Sequence, residues 1–263
     1  MPANRHLAED DSGRHCAPPL PPRARSWRRR AETRLTAIAA LITLPLLTAC
    51  SGPRSALDPA GPSARAAAWL WWGMAGLFGL VFVAVVGLWM YALWRDPGTP
   101  GEVQAERVQR RWLIGGGLLL PILSITAVLL VGIPLGQRML PLPAGEAVRI
   151  DVTAHQWWWE VSYPDSGIVL ENQLFIPAGR PVDLYLTSAD VIHSFWVPRL
   201  GGKMDMLPGR SNVLRLEADR PGTYHGSCSE FCGTGHAQMT FTVQALAPAE
   251  YRAWLDERRQ SGD

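Results

Sequence analysis

"GSCSEFCGTGHAQM", residues 226–239, sets two cysteines, a histidine and a methionine within twelve positions, Cys228 to Met239. Before it lies "GTYHGS" and across its end "QMTFTVQAL", short runs with β-branched and aromatic residues that read as strands. Six more such runs precede them: "AVRIDVTA", "QWWWEVSY", "IVLENQLFI", "PVDLYLTS", "VIHSFWVP" and "NVLRLEA". Gly, Pro, Asp and Asn punctuate them at intervals typical of an all-β sandwich or barrel. Residues 139–263 are thus expected to form one all-β domain, helical only over 248–260, where Pro248 is placed to open a helix. No internal repeat is found.

Upstream the composition changes. Residues 69–94 and 112–136 are uncharged over 26 and 25 positions, long enough to span a bilayer. Trp69, Trp71, Trp72, Trp89, Tyr91, Trp94 and Trp112 sit at the ends of these runs, as interfacial aromatics do. Pro121 would break a soluble helix but is tolerated in a membrane. The intervening loop, residues 95–111, carries Arg95, Arg107, Arg110 and Arg111, and the positive-inside rule assigns it to the cytoplasm. The expected architecture is a two-helix transmembrane hairpin (69–136) followed by an all-β extracytoplasmic domain.

Residues 1–49 are set apart from the fold. An arginine-rich segment containing "PPRARSWRRR" runs into the apolar "LTAIAALITLPLLTA" and then Cys50, the order of a bacterial export signal. "LLTAC" resembles a lipoprotein lipobox, which implies a lipid on Cys50 and leaves residues 50–68 as an extracytoplasmic linker. The whole chain has 25 basic and 23 acidic residues; without residues 1–49 the balance is 17 to 19, mildly acidic. The arginine cluster belongs to the export signal, so nothing indicates nucleic-acid binding.

The residues of the loop admit several chemistries. Oxidised cysteine pairs persist outside the cytoplasm, but a disulfide leaves His236 and Met239 without a purpose. Zinc is a poor match for methionine, whereas thiolate, thioether and imidazole together favour copper. A mononuclear blue copper site takes one Cys, two His and a weak axial Met. With two cysteines and one further histidine, the loop could hold two coppers bridged by both thiolates. His193, in the apolar run "VIHSFW", is the best candidate, because an unpaired imidazole there would be costly. His155 and His225 read more simply as hydrogen-bonded structural histidines.

"CSEFCGTGHAQM" resembles the binuclear copper loop of cytochrome c oxidase subunit II, C-S-E-x-C-G-x-x-H-x-x-M. "HSFWVPRLGGKMDMLPGR" resembles the segment of that family with the other copper histidine, and "HQWWWE" its aromatic stretch, usually H-Q-W-Y-W. The resemblance spans nearly all of residues 65–245 and implies a cupredoxin-like Greek-key sandwich or barrel for the outer domain. It further implies that Cys228 and Cys232 bridge two copper ions. His193 and Met239 would complete one copper, and His236 with the backbone carbonyl of Glu230 the other. The Glu230 side chain is implied as a ligand of a magnesium or manganese ion shared with subunit I, which needs oxygen donors. Asp205 lies in a segment that in relatives faces subunit I. Trp157 takes the position at which electrons enter; Trp158 departs from the family's usual Tyr. Strand alternation would place Trp157 and Trp159 on one face and Trp158 on the other.

Residues 139–263 contain 10 basic and 15 acidic groups. Among residues 139–190, Glu146, Asp151, Glu160, Asp165, Glu171, Asp183 and Asp190 face only Arg149 and Arg180 in number, a balance that would steer a basic partner. The resemblance implies cytochrome c as that donor, and no C-x-x-C-H haem attachment motif occurs in this chain. Function is thus expected to be electron transfer within a membrane haem-copper oxidase, alongside subunit I and other oxidase subunits. Oxygen reduction and proton pumping would occur in subunit I. A quinol oxidase subunit II shares the architecture but lacks the copper ligands. A membrane-anchored copper chaperone would have no need of Met239 or the H-Q-W stretch, and nitrous oxide reductase requires a much longer chain.

Overall fold

A computed structural model describes residues 51–95, 102–141 and 147–261. The export-signal segment and Cys50 lie outside the described residues. Helix α1, Pro62–Trp94, has 33 residues, about 50 Å at 1.5 Å per residue, more than a hydrocarbon core of about 30 Å. It opens on Pro62 at its first turn, where a missing N–H costs nothing, so it starts seven residues before the apolar run. The second span likewise starts before its apolar stretch. Helix α2, Glu102–Trp112, carries Arg110 and Arg111 in its last turn and runs on through a π-helical segment, Leu113–Leu119, into α3, Leu120–Arg138. Both spans are long and apolar enough to cross a membrane, and their apolar side chains are exposed along most of their length. The chain is a membrane protein.

The π segment ends next to Pro121. A proline ring clashes with the carbonyl four residues earlier, here that of Gly117, and leaves a bond unmade. In the wider register the Leu120 N–H donates to the Gly115 carbonyl, so the helix meets Pro121 with its hydrogen bonds already shifted.

The β domain comprises β1 (Val148–His155), β2 (Trp158–Tyr163), β3 (Ile168–Glu171), β4 (Gln173–Pro177), β5 (Val182–Ser188), β6 (His193–Trp196), β7 (Met204–Met206), β8 (Asn212–Leu216), β9 (Gly222–Cys228) and β10 (Thr240–Leu246). One sheet has the order β3-β2-β1-β5-β8, the other β4-β10-β9-β6-β7. Pairing is antiparallel except β1 with β5 and β4 with β10, which join strands distant in sequence. Buried and half-buried residues alternate along β1, β2, β5 and β10, as expected of strands with one face on a core. That core contains Ile150, Val152, Leu184, Leu186, Leu174, Ile176, Val243 and Trp159. Trp159 meets Phe195 and Phe241 edge-on at centroid distances of 5.5 and 5.1 Å, a favourable aromatic geometry. Helix α4, Pro248–Ser261, lies against the domain through Trp254, stacked on Phe175 at 4.5 Å.

Two departures from the strand pattern have local causes. The run "IVLENQLFI" divides between the two sheets at Asn172, which adopts φ 57° and accepts the Trp159 N–H on its side-chain oxygen. Asparagine tolerates this left-handed conformation better than most residues. Strand β7 is three residues long with an acid at its centre, too short to show alternation.

The segment before α1 is strapped to the β domain. The Ala60 N–H donates to the Arg199 carbonyl (2.7 Å), and the Asp219 N–H to the Ala60 carbonyl (2.8 Å). Arg199 pairs with Asp58 at 2.9 Å, and Arg65 makes two hydrogen bonds to the Asp219 carboxylate at 2.8 and 3.0 Å. Residues 51–68 of the expected linker are therefore part strap and part helix.

Candidate metal centre

β6 and β9 are antiparallel neighbours, with Phe195 opposite Cys228. That pairing brings His193, at the start of β6, beside the cysteine that ends β9. From Cys228 the chain turns back through Cys232 and a 3-10 turn, His236–Gln238, so that Met239 enters just before β10. The Cys228 N–H donates to the Met239 carbonyl at 2.9 Å and closes the base of the loop. Gly233, at φ +118°, makes the bend after Cys232 in a conformation that favours glycine.

All six donors expected from the sequence converge. The Cys228 Sγ lies 3.8 Å from His193 Nδ1, 3.2 Å from the Glu230 carbonyl oxygen and 3.9 Å from Cys232 Sγ. Cys232 Sγ lies 3.6 Å from His236 Nδ1 and 3.7 Å from Met239 Sδ. His193 and Met239 are fully buried, Cys228 and Cys232 nearly so, and His236 is half-buried. Both cysteines are free, with sulfurs far beyond the roughly 2.05 Å of a disulfide. A sulfur separation of 3.9 Å suits an ion held about 2.3 Å from each thiolate. His193, Cys228 and Cys232 have ligand atoms all within 4.8 Å of one another, a group that can hold a metal ion. With imidazoles and a thioether added, the donor set is soft to borderline and fits copper.

Burial, and then the neighbouring Cys228, push the Cys232 thiol up to about 11. Without a metal that thiol is protonated at neutral pH, and binding must displace its proton. Burial alone would also raise Asp190. Hydrogen bonds from His193 Nε2 (2.8 Å) and from the backbone N–H groups of Val191 (2.6 Å) and Gln156 (2.7 Å) outweigh it and hold the carboxyl below its usual value.

The aromatic stretch corrects the expected alternation. β2 begins at Trp158, so Trp157 is not on the strand; Gln156 and Trp157 form the turn between β1 and β2, where His155 pairs with Trp158. Trp159 is buried in the core, Trp158 stacks on His155 at 4.3 Å, and Trp157 is 41% exposed. The Trp157 indole N–H donates to the Cys232 carbonyl (3.3 Å), and the Gln156 side-chain amide donates to the same oxygen (2.8 Å). Gly235 permits this approach, since a Cβ there would collide with the indole. Sequence reasoning assigned no role to Gln156 or Gly235 and counted Asp190 only among the acidic groups that would steer a partner; the D-x-x-H spacing before His193 was the available signal for its contact with that histidine. His155 does not match its hydrogen-bonded reading, because its buried Nε2 has no partner. His225 is half-buried on β9, opposite Thr242. Asp205 and Glu230 line an open cleft beside the centre together with the exposed Val191, Ile192 and Phe231.

A two-sheet β domain follows a pair of apolar helices, and its Cys/His/Met cluster, set by β6, β9 and the loop before β10, is a group that can hold a metal ion. The family described as cytochrome C oxidase subunit II, periplasmic domain, matches residues 166–246. The cytochrome c oxidase subunit 2 of Alkalihalophilus pseudofirmus is 35% identical over 224 residues, 80% of this chain and 64% of that one, so the match leaves about a third of the relative uncovered. The quinol oxidase subunit 2 of Bacillus anthracis is 31% identical over 247 residues, 89% of this chain and 82% of that one. The solved periplasmic domain of cytochrome oxidase subunit II from Bradyrhizobium japonicum is 29% identical and covers 44% of this chain and 96% of that one, at a TM-score of 0.42. The chain belongs to the cytochrome c oxidase subunit II family.

Proposed function

We propose that this chain is the subunit through which electrons enter a respiratory haem-copper oxidase. It would accept them from a cytochrome c at a binuclear copper centre and pass them to haem in subunit I, where oxygen is reduced to water with proton pumping. The observation that carries the reading is the convergence of six donors on two thiols 3.9 Å apart, with an exposed tryptophan bonded to the loop between them. Cys228 and Cys232 would bridge the pair, His193 and Met239 completing one position, His236 and the Glu230 carbonyl the other. Bound copper would supply one-electron exchange, with Cys228 and Cys232 as the polarizable thiolates that hold it. The chain's own part is to fix the ligands on β6, β9 and a closed loop, to exclude water from His193 and Met239, and to hold Trp157 at the surface.

A quinol donor is the competing reading, since relatives carry both names. The complete ligand set favours the cytochrome. Of the acidic groups expected to steer it, Asp151 and Asp183 are paired with Arg149 and Arg215, and Asp190 is bonded to His193. Glu160, Asp165 and Glu171 retain that role; Glu146 lies outside the described residues. The cleft holding Asp205, Glu230 and Phe231 suits contact with subunit I, with the Glu230 carboxylate available to a shared magnesium or manganese ion. In this reading residues 1–49 are an export signal, Cys50 carries lipid, residues 95–111 face the cytoplasm, and the copper domain lies outside the cell membrane. Copper titration of the full chain in detergent tests the core of the proposal. Two coppers per chain, with one unpaired electron spread over both nuclei in the spin resonance spectrum, are expected; one copper, or a localised electron, overturns it.

A further inference from the structure

Asp190 lies in the turn between β5 and β6, outside the donor set, yet it gathers hydrogen bonds from three directions. One carboxylate oxygen takes His193 Nε2 at 2.8 Å and the Val191 N–H at 2.6 Å; the other takes the Gln156 N–H at 2.7 Å, across 34 residues of sequence. A carboxylate only accepts, so Nε2 carries a hydrogen, which leaves Nδ1, 3.8 Å from the Cys228 sulfur, as the ring atom to serve a metal. The Gln156 side chain and the Trp157 indole both reach the Cys232 carbonyl. These contacts close a ring: Asp190 to His193, His193 to Cys228, Cys228 to Cys232, Cys232 to the turn of Gln156 and Trp157, and that turn back to Asp190.

We infer that Asp190 is a positioning residue that sets the His193 tautomer and, through the Gln156 N–H, fixes the turn bearing Trp157 against the Cys232 loop. One carboxylate thereby holds both the metal side and the donor side of the electron path in register. The inference rests on the copper reading of the site. Its charge also matters: a carboxylate bonded to a ligand imidazole makes that ligand a better donor and favours the oxidised metal. A neutral amide of the same shape still accepts from His193 but does not supply this.

The experiment compares wild type, Asp190→Asn and Asp190→Ala as full chains in detergent. Copper affinity is measured by chelator competition, the centre by spin resonance and its reduction potential, and the fold of each metal-free chain by circular dichroism. Asp190→Ala is expected to lose about tenfold or more in affinity and to change the hyperfine pattern. Asp190→Asn, which keeps the hydrogen bond, is expected to restore most of the affinity while shifting the potential upward. Wild-type affinity and spectrum in the alanine variant overturn the assignment. Should that variant fail to fold, an unshifted potential in the asparagine variant overturns it equally. A wild-type chain that takes up no copper overturns the functional reading and this one together, an outcome visible before either variant is measured.

Discussion

Gly235→Ala offers a clean test of Trp157, because the substitution changes one contact and leaves the backbone unstrained. Gly235 adopts φ −88° and ψ 5°, open to alanine, so any effect is steric. The added Cβ would stand 2.8 Å from Trp157 Cε3 and closer still to Cγ and Cδ2. Carbon atoms rest about 3.8 Å apart, so the indole must withdraw by more than about 1 Å. Its hydrogen bond to the Cys232 carbonyl, already 3.3 Å long, would break. Losing that bond costs about 1 kcal/mol, a factor of about five in the population of the seated indole, and the overlap adds to it. The metal ligands are untouched. Rapid-mixing measurement of electron uptake from reduced cytochrome c should therefore slow about fivefold or more, with copper content and spin resonance spectrum preserved. A wild-type rate would refute Trp157 as the point where electrons enter. Slowing accompanied by lost copper would refute the claim that the contact is independent of the ligand loop.

At Gly226, on β9, a methyl group would overlap the ring of Phe241 on β10, so Gly226→Ala should destabilise the domain by about 1–3 kcal/mol. An unchanged thermal midpoint of the metal-free chain would count against this packing. Copper uptake should strengthen by about tenfold per pH unit through displacement of the Cys232 proton alone, since burial holds that thiol at about 11. Competition titrations across the neutral range that show no pH dependence would contradict it. The sign reverses for the metal-free fold. A pKa raised on folding gives stability that is complete below the ordinary thiol value and is lost as pH rises toward 11, so denaturation midpoints should fall in that range.

Much of this was legible because the strands are amphipathic and the ligand loop is contiguous. Eight runs foretold nearly all of the two sheets, and both spans were visible from the absence of charge. Helix limits were less visible, since Pro62 and Glu102 open their helices through backbone hydrogen bonding that needs no apolar side chain. The division at Asn172 depends on one side chain capping the Trp159 N–H, an interaction across 13 residues that periodicity cannot encode. Trp157 shows the limit of alternation: period two holds within a strand, and this residue occupies the turn. His193 stood out because a lone imidazole in an apolar run demands a partner, and the fold sets its Nδ1 3.8 Å from the Cys228 sulfur. Asp190 was counted only as surface charge, because its partners lie in three separate segments brought together by folding.

The strap before α1 has a consequence for how the centre can operate. Two backbone bonds and two arginine–carboxylate pairs tie residues 58–65 to Arg199, shortly after β6, and to Asp219, after β8. A domain moored in this way cannot ferry its cargo on a swinging arm. The proposed relay is a fixed one, in which the donor must come to Trp157 and the outward step crosses a gap set by the assembled subunits. Loosening the moorings, for example at Asp219, would vary that gap without touching a ligand.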